Sequence, residues 1–563
     1  MAGFEVGVFS GKAPKISSKL LPAEVGQEAI NCNLDSGQLR SWNEAETVTV
    51  SSGMGAVSSS TQTIFLYEDA DTDATADDKW LSWDTVVDAL PSPIAEDSFQ
   101  RIYWTGDTTN GNYPKYAANS SAIAGSSGYP AVSYRLGLPK PSAPSIAITG
   151  TADEDAIEQN IAYTHSFVSR FGEEGPPSSA TSVVTYAAGQ TRTLTLPAAP
   201  SGDNLIIEDS ETGHVKRIYR TNSSGDFQFV KDVSISTTSY VDTITDANLG
   251  EFLLTTDNFA PPDNVSSEHP SGPMIGLIQL SNGVMAGFTG NTLCFSKAYK
   301  PHAWPTSYQL TTRSDIVGLS AVSDGLIVTT KGKPYLVSGV DPAQMAMMEL
   351  DISASCVSKT SIVDMGEYCM YASPDGLVVA SMNGVELATE GILSRDQWQD
   401  LVPSTLKGYL YEGKYMGFYD DGTDTKGFIF DPRGGKNSFI TIDLYAKAGF
   451  TDLRTDTLYL MIGGALKKFN GGSNKLTFTW RSKIFNYKRP LNMGAAKVLC
   501  SSYSPAPTFK FYVDGALKLT KTISSYKAFR LPAGFLGTDF YFQIEGTVDI
   551  DSVCIYESMS EIL

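Results

Sequence analysis

Short runs of Val, Ile, Leu, Tyr and Phe recur along this chain, and tight turns with glycine separate them. Five times in the second half a turn is followed by a strand-like run, a second turn and another strand-like run. The copies read NGVMAGFTGNTLCFS from Asn282, DGLIVTTKGKPYLVSG from Asp324, DGLVVASMNGVELATEG from Asp375, EGKYMGFYDDGTDTKGFIFD from Glu412 and DTLYLMIGGALKKFNGG from Asp456. Asn-Gly and Asp-Gly tolerate the positive φ that a two-residue hairpin needs if its twist is to match the flanking strands. The first turns fall at Gly283, Gly325, Gly376, Gly413 and Asp456, in steps of 42, 51, 37 and 43 residues. That spacing fits the blades of a β-propeller, each a four-stranded up-and-down sheet. Any antiparallel meander has such turns, so one large sandwich is the competing architecture; the recurring period favours the propeller.

The rest of the chain extends this pattern. TIFLYE, KWLSWDT, RIYWTG and YPKYA, between residues 61 and 140, read as strands of one or two further blades, which gives six or seven in all. Pro-rich stretches at 139–150 and 259–273 mark boundaries. Between them YTHSFVSRF, SATSVVTY, RTLTLP, VKRIYRTN, FQFVKDV and TSYVDT suit one inserted β-sandwich. After TFTWRSKIF the blade pattern stops, and strands such as FKFYVDG, with a hairpin at Asp514-Gly515, predict a terminal sandwich. The expected organisation is an N-terminal arm and first blade or blades over 1–140, a fibronectin-III-like sandwich over 141–258, the remaining blades over 259–475 and a C-terminal sandwich over 476–563. The fold class is all-β. One helix is expected near the start, in LLPAEVGQEAINCNL, with Pro22 at its first position ahead of Ala23, Glu24 and Gln27. The segment 51–60 reads as a loop.

With 563 residues, three or four domains are expected, because one core rarely exceeds roughly 250 to 300 residues. The net charge is -20, from 62 acidic against 42 basic residues, and no basic arm or stripe stands out. Tight binding to a phosphate backbone needs Lys and Arg to neutralise it, so sequence-specific nucleic-acid recognition is not expected. An acidic surface instead lets DNA pass without sticking. The opening MAGFEVGVFSGKAP lacks a signal-peptide pattern and no run of 18 apolar residues occurs, so synthesis in a cytoplasm without a membrane span is expected.

Candidate chemistry is sparse. The histidines His165, His214, His269 and His302 show no metal-ligand spacing, and no nucleophile-elbow or phosphate-loop motif occurs. His165 falls in a strand and His269 in a Pro-rich linker, which suggests structural or surface roles. The adjacent acids Glu173-Glu174 and Asp420-Asp421 read as solvated turns rather than an opposed catalytic pair. The acidic tract 68–78 has D-x-D-x-D spacing but holds Ala74 and Trp80 where a calcium loop needs Gly and Glu, so it reads as a solvated hairpin tip. Cys32, Cys294, Cys356, Cys369, Cys500 and Cys554 lack C-x-x-C spacing and read as small buried hydrophobes. No catalytic, cofactor-binding or metal residue, and no cofactor, is predicted, and channel or gate residues are not assigned.

Several segments resemble one family. FSGKAPKISSKLLPAEVGQEAINCNLDSGQLRSW at the start, SPIAEDSFQRIYWTGD, YPKY and YRLGLPKP, then FVSRFGEEGPPSSATSVV with VKRIYRTNSSGDFQFVKDV, and TWRSKIF, VDGALK and FRLP near the end, together resemble the tail nozzle proteins (tail tubular protein B-like, or tail hub) of podovirus-type bacteriophages. One departure is the GEEGPPSS turn. It resembles the hairpin between the last two strands of a fibronectin type III domain yet precedes strands that should come earlier, which implies a permuted sandwich or a module only superficially similar. The resemblance implies a virion structural protein without enzymatic activity, made in the host cytoplasm and placed at the distal end of a short tail. Six copies would form a homohexamer ring beneath a tail adaptor, with tail fibres and the host surface as further contacts. Its channel would retain genomic DNA and then release it, without sequence-specific binding. A receptor- or carbohydrate-binding propeller is the alternative. Trp80, Trp83 and Trp104 exposed in one groove would support it, whereas as strand residues they belong to the core.

Overall fold

Hairpin after hairpin, the chain folds into short antiparallel strands, and the computed structural model describes residues 3–50, 57–67, 79–122, 124, 127–202, 204–323, 325–434 and 439–562. Four sheets are four-stranded meanders formed by consecutive strands alone: Asp88–Pro91 to Tyr134–Arg135, Ile275–Gln279 to Leu310–Thr311, Ile316–Val322 to Ala346–Glu349, and Val363–Asp364 to Gly384–Leu387. A fifth meander runs from Lys407–Tyr411 to Phe439–Ile442. A sixth takes Gly449–Asp452, Thr457–Ile462 and Ala465–Lys468 and receives its outer strand, Glu46–Thr47, from the N-terminal arm. The pair Thr63–Tyr67 and Lys79–Trp83 makes the remaining sheet.

These seven sheets close into a ring, because each sandwiches an apolar layer against the next. Trp83 and Leu81 pack on Ile102 and Trp104, Tyr103 and Tyr116 on Leu277 and Met285, and Phe288 and Leu293 on Leu326 and Val328. Ile327 and Leu336 then meet Cys369 and Tyr371, Met370 and Leu377 meet Tyr415 and Phe428, and Met416 and Phe418 meet Leu458 and Leu460. Met461 and Leu466 complete the circuit against Ile64 and Trp80. The fold is a seven-bladed β-propeller, numbered here from blade 1 (Thr63–Trp83) to blade 7 (Gly449–Lys468). The strand Glu46–Thr47, from ahead of blade 1, completes blade 7 and so latches the two ends of the ring.

The uneven steps of 51 and 37 residues have a simple cause. In blades 3, 4, 6 and 7 the repeat's first turn joins the first two strands, but Asp375-Gly376 joins the second and third strands of blade 5. The equivalent turn there is at Gly366, which adopts φ +92°. Replacing Gly376 by Gly366 gives steps of 42, 41, 47 and 43 residues.

Two sandwiches hang from this ring. Between blades 2 and 3, Ser145–Thr149, Thr191–Thr195 and Ser239–Asp242 form one sheet, and Tyr163–Val168, Val215–Thr221 and Phe227–Ser234 another. Leu194 and Ile146 face Tyr163, Ile218 and Val230 across their core. The terminal sandwich has Gly3–Val6, Ile550–Tyr556, Ala495–Cys500 and Phe529–Arg530 in one sheet. Its other sheet, Phe478–Arg481, Gly537–Gly546, Thr508–Val513 and Ala516–Thr522, is continuous with blade 6 through a single N-terminal strand, Glu28–Ile30.

That strand corrects the expected helix. Residues 22–33 form a turn at Pro22 and the short strands Val25–Gly26, Glu28–Ile30 and Cys32–Asn33. Gly26 already weakens a helix here by roughly 1 kcal/mol. The unpaired edges of blade 6 and of the terminal sheet offer the segment ladder hydrogen bonds on both sides instead. Gly26 is required by close approach, since a Cβ there would lie 2.8 Å from the Glu28 carbonyl oxygen and 2.9 Å from Trp480 Nε1.

Candidate functional site

Among the described residues, polar groups meet at the propeller axis and at the junction with the inserted sandwich. Along the axis the inner strands enclose a cavity of about 380 Å3, walled mainly by Ile64, Phe65, Leu277, Leu319, Ile362 and Phe450. Asp88, at the start of blade 2's inner strand, crosses it to Lys359, in the short turn ahead of blade 5, at 2.5 Å. The same Asp88 oxygen accepts from the Gly276 amide at 3.0 Å. The axis is therefore spanned by an ion pair and holds space for a few waters or a small group, far less than a nucleic-acid strand needs.

At the insert junction, Glu173 and Glu174 overturn the reading of a solvated turn. Glu173 is buried; Arg101 of blade 2 donates to it and also to Asp97 at 2.8 Å, while His302 of blade 3 lies 3.7 Å away. Burial raises the Glu173 carboxyl above the ordinary glutamate range, and Arg101 partly offsets this. Burial, with Lys300 and Arg101 adding to it, lowers His302 to about 3, so its imidazole is neutral. Glu174 accepts from Tyr219 at 2.7 Å, Ser166 at 2.5 Å and Arg217 at 3.1 Å. Its main-chain carbonyl accepts from Asn258, whose side-chain oxygen is held by Lys297. Glu173 acts as a plug seating the insert between blades, where its partners come from Arg101 of blade 2 and His302 of blade 3, whereas the Glu174 side chain is held by residues of the insert itself.

The other candidates fall apart in space. Asp420 and Asp421 do sit in an exposed turn, accepting from the amides of Gly422, Thr423 and Asp424. His165 is wholly buried in the strand Tyr163–Val168, with neither ring nitrogen in a hydrogen bond, and burial lowers it to about 4. His214 accepts from the Arg170 amide, and His269 lies at the insert's exit, 3.8 Å from Asp263. Trp80, Trp83 and Trp104 are all buried between blades 7, 1 and 2, which removes the aromatic groove. All six cysteines are free thiols; Cys32, Cys294, Cys356 and Cys369 are buried, and burial pushes Cys356 up to about 11 and Cys294 to about 12. The acidic tract 68–78 and residues 51–56 of the expected loop lie outside the described residues. Among the described residues there is no group of three or more His, Cys, Asp or Glu arranged to hold a metal, and no helix is long and apolar enough to cross a membrane.

No family model and no curated protein matches the chain. Among solved structures it is similar to BBS1N in complex with ARL6DN, at 11% identity over 50% of this chain and 88% of that one, with a TM-score of 0.24. It is also similar to PorZ, a surface component of the type-IX secretion system of Porphyromonas gingivalis, at 14% identity over 60% and 43% of the two chains and a TM-score of 0.25. An exo-beta-1,3-galactanase from Phanerochaete chrysosporium aligns at 8% identity over 88% and 100%, with a TM-score of 0.18. The seven-bladed assignment rests on the strand pairing and interblade cores above.

Proposed function

We propose that this chain is a virion structural protein that builds the distal nozzle ring of a short phage tail, retaining and then releasing the genome. The supporting observation is how the modules are locked together. One continuous sheet runs from blade 6 through Glu28–Ile30 into the terminal sandwich, while a buried ionic plug seats the insert across the ring. Modules tied to the propeller by a shared sheet and a buried ionic contact suit a wall and a joint under load. In this reading the DNA conduit is the hole between six copies, because the propeller's own axis leaves only about 380 Å3 and is crossed by the Asp88–Lys359 pair. The charge of -20 per copy favours passage over adhesion. Phage, tail and adaptor enter through the sequence resemblance, and a bond-breaking role is not part of the proposal.

Negative-stain imaging of the purified protein, alone and on its adaptor, tests this. A six-fold ring with an axial hole is expected. Particles lacking an axial hole in both preparations overturn it.

A further inference from the structure

Charge is divided unevenly between the two sandwiches. From residue 141 to 169 the insert has no Lys or Arg, and its loop at 153–158 carries Asp153, Glu154, Asp155 and Glu158 around Ile157. All five residues are exposed, Ile157 at 82%, and none of the four carboxylates is in an ion pair among the described residues. The terminal sandwich has the opposite character. Between Asp514 and Asp539 it has no acid and carries Lys518, Lys521, Lys527 and Arg530, all exposed and none ion-paired among the described residues.

The basic surface is also a built edge. Ala516–Thr522 is the last strand of its sheet and pairs only with Thr508–Val513, so its outer backbone edge is open. Lys518 lies over Phe535 at 5.0 Å and Lys521 over Phe529 at 5.3 Å, which holds both cations against the sandwich's aromatic rings. Leu517, Tyr526 and Leu536, in the same stretch of sequence, are exposed at 50%, 63% and 67%. Lysines on such an edge disfavour pairing with another strand and leave a charged surface that an acidic partner fits.

Within one molecule the two surfaces are separated by the propeller. The insert is seated between blades 2 and 3, and the terminal sandwich grows from blade 6, across the seven-membered ring. Two complementary surfaces on opposite sides of a rigid body define a head-to-tail contact, which closes into a ring when the rotation allows. We infer that the basic edge Ala516–Arg530 of one copy receives the acidic loop 153–158 of a second copy, with Ile157 entering among Leu517, Tyr526 and Leu536. This names the contact inside the proposed nozzle ring and rests on that reading.

The test uses the full chain, with self-association measured by sedimentation velocity at low and high salt. Screening of the charges should weaken the wild-type contact as salt rises. Two quadruple reversals, D153K/E154K/D155K/E158K and K518E/K521E/K527E/R530E, should each weaken association about 100-fold or more. Equimolar mixing of the two variants should restore it, because each then supplies the sign that the other's surfaces lack. Circular dichroism melts matching the wild type exclude misfolding.

A wild type that stays monomeric at every concentration, association unchanged by either reversal, or loss that mixing does not restore would each overturn the contact. So would recovery of the basic-reversal phenotype as lost binding to duplex DNA with self-association intact. The two proposals fail separately. A six-fold ring indifferent to the reversals removes the contact and keeps the nozzle; charge-swapped assembly into open chains keeps the contact and removes the nozzle.

Discussion

Two β-sandwiches are attached to one propeller by opposite means. The terminal sandwich shares a sheet with blade 6, so backbone hydrogen bonds and one apolar core run across the boundary: Phe9, Ala29, Ile440, Trp480 and Phe542 belong to a single cluster. Among the described residues the insert shares no strand ladder with the blades, and it is seated by Arg101, Asp97, Glu173 and His302, around an apolar contact of Phe167, Ile206 and Ile207. A shared sheet needs continuous strands and tolerates exchange of any one side chain on its polar face. A buried ionic plug depends most on the cation its acids share, since removing Arg101 strands both Asp97 and Glu173 without solvent.

That contrast predicts a graded response. Trp480 is fully buried, packs edge-on against Phe9 at 4.9 Å between ring centres, and donates to the Ser10 carbonyl at 3.0 Å. Trp480→Ala should destabilise the terminal sandwich by about 4 kcal/mol, read as an early thermal transition with the insert still protected from hydrogen exchange. Arg101→Ala should cost about 3 kcal/mol and act on the other side, making 141–258 sensitive to limited proteolysis. If insert protection is unchanged, the plug is not what seats it. Glu173→Gln should cost under about 1 kcal/mol, because Asp97 still balances Arg101.

Acid should act mainly through the insert and its junction. The folded-state values of His302 and His165 lie below the ordinary histidine value, at about 3 and about 4, with burial the main cause in each case. Depressed values mean stability that is present above the unfolded histidine pKa and is lost as pH falls from there toward the folded ones. When fully expressed this amounts to roughly 3 kcal/mol for His165 and roughly 5 kcal/mol for His302. Glu173, raised by burial, works against this: its contribution is present at low pH and is lost as pH rises through its folded value. Melting from neutral pH to about pH 4 should therefore show net loss, and His165→Leu should flatten that limb with little change at neutral pH, since its ring makes no hydrogen bond. The smallest effect belongs to the axis. Lys359→Met removes a pair whose members are 23% and 25% exposed and should change stability by less than about 1 kcal/mol.

Much of the propeller was legible in advance because hairpin turns are local chemistry. Asp514 and Gly515 adopt φ +48° and +81°, and Gly283 and Gly413 adopt +73° and +72°, as their turn positions require. The slip at Asp375-Gly376 has the same origin, since the turn between strands two and three of a blade uses the same residues as the turn between one and two. The junction residues were not legible. Glu173 sits 72 residues from Arg101 and belongs to a glycine-flanked pair of acids that looks like any solvated turn. No local signal separates the two cases.

Turn chemistry and strand patterning, both properties of neighbouring residues, were enough to specify an all-β chain built of repeated hairpins with two additional sandwiches. Closure of the ring at seven blades, the recruitment of residues 25–30 into strands and the burial of Glu173 were decided by tertiary contacts. Each depends on free energy gained between segments far apart in sequence: an open sheet edge that takes up a strand, or a cation that meets a carboxylate where water is excluded.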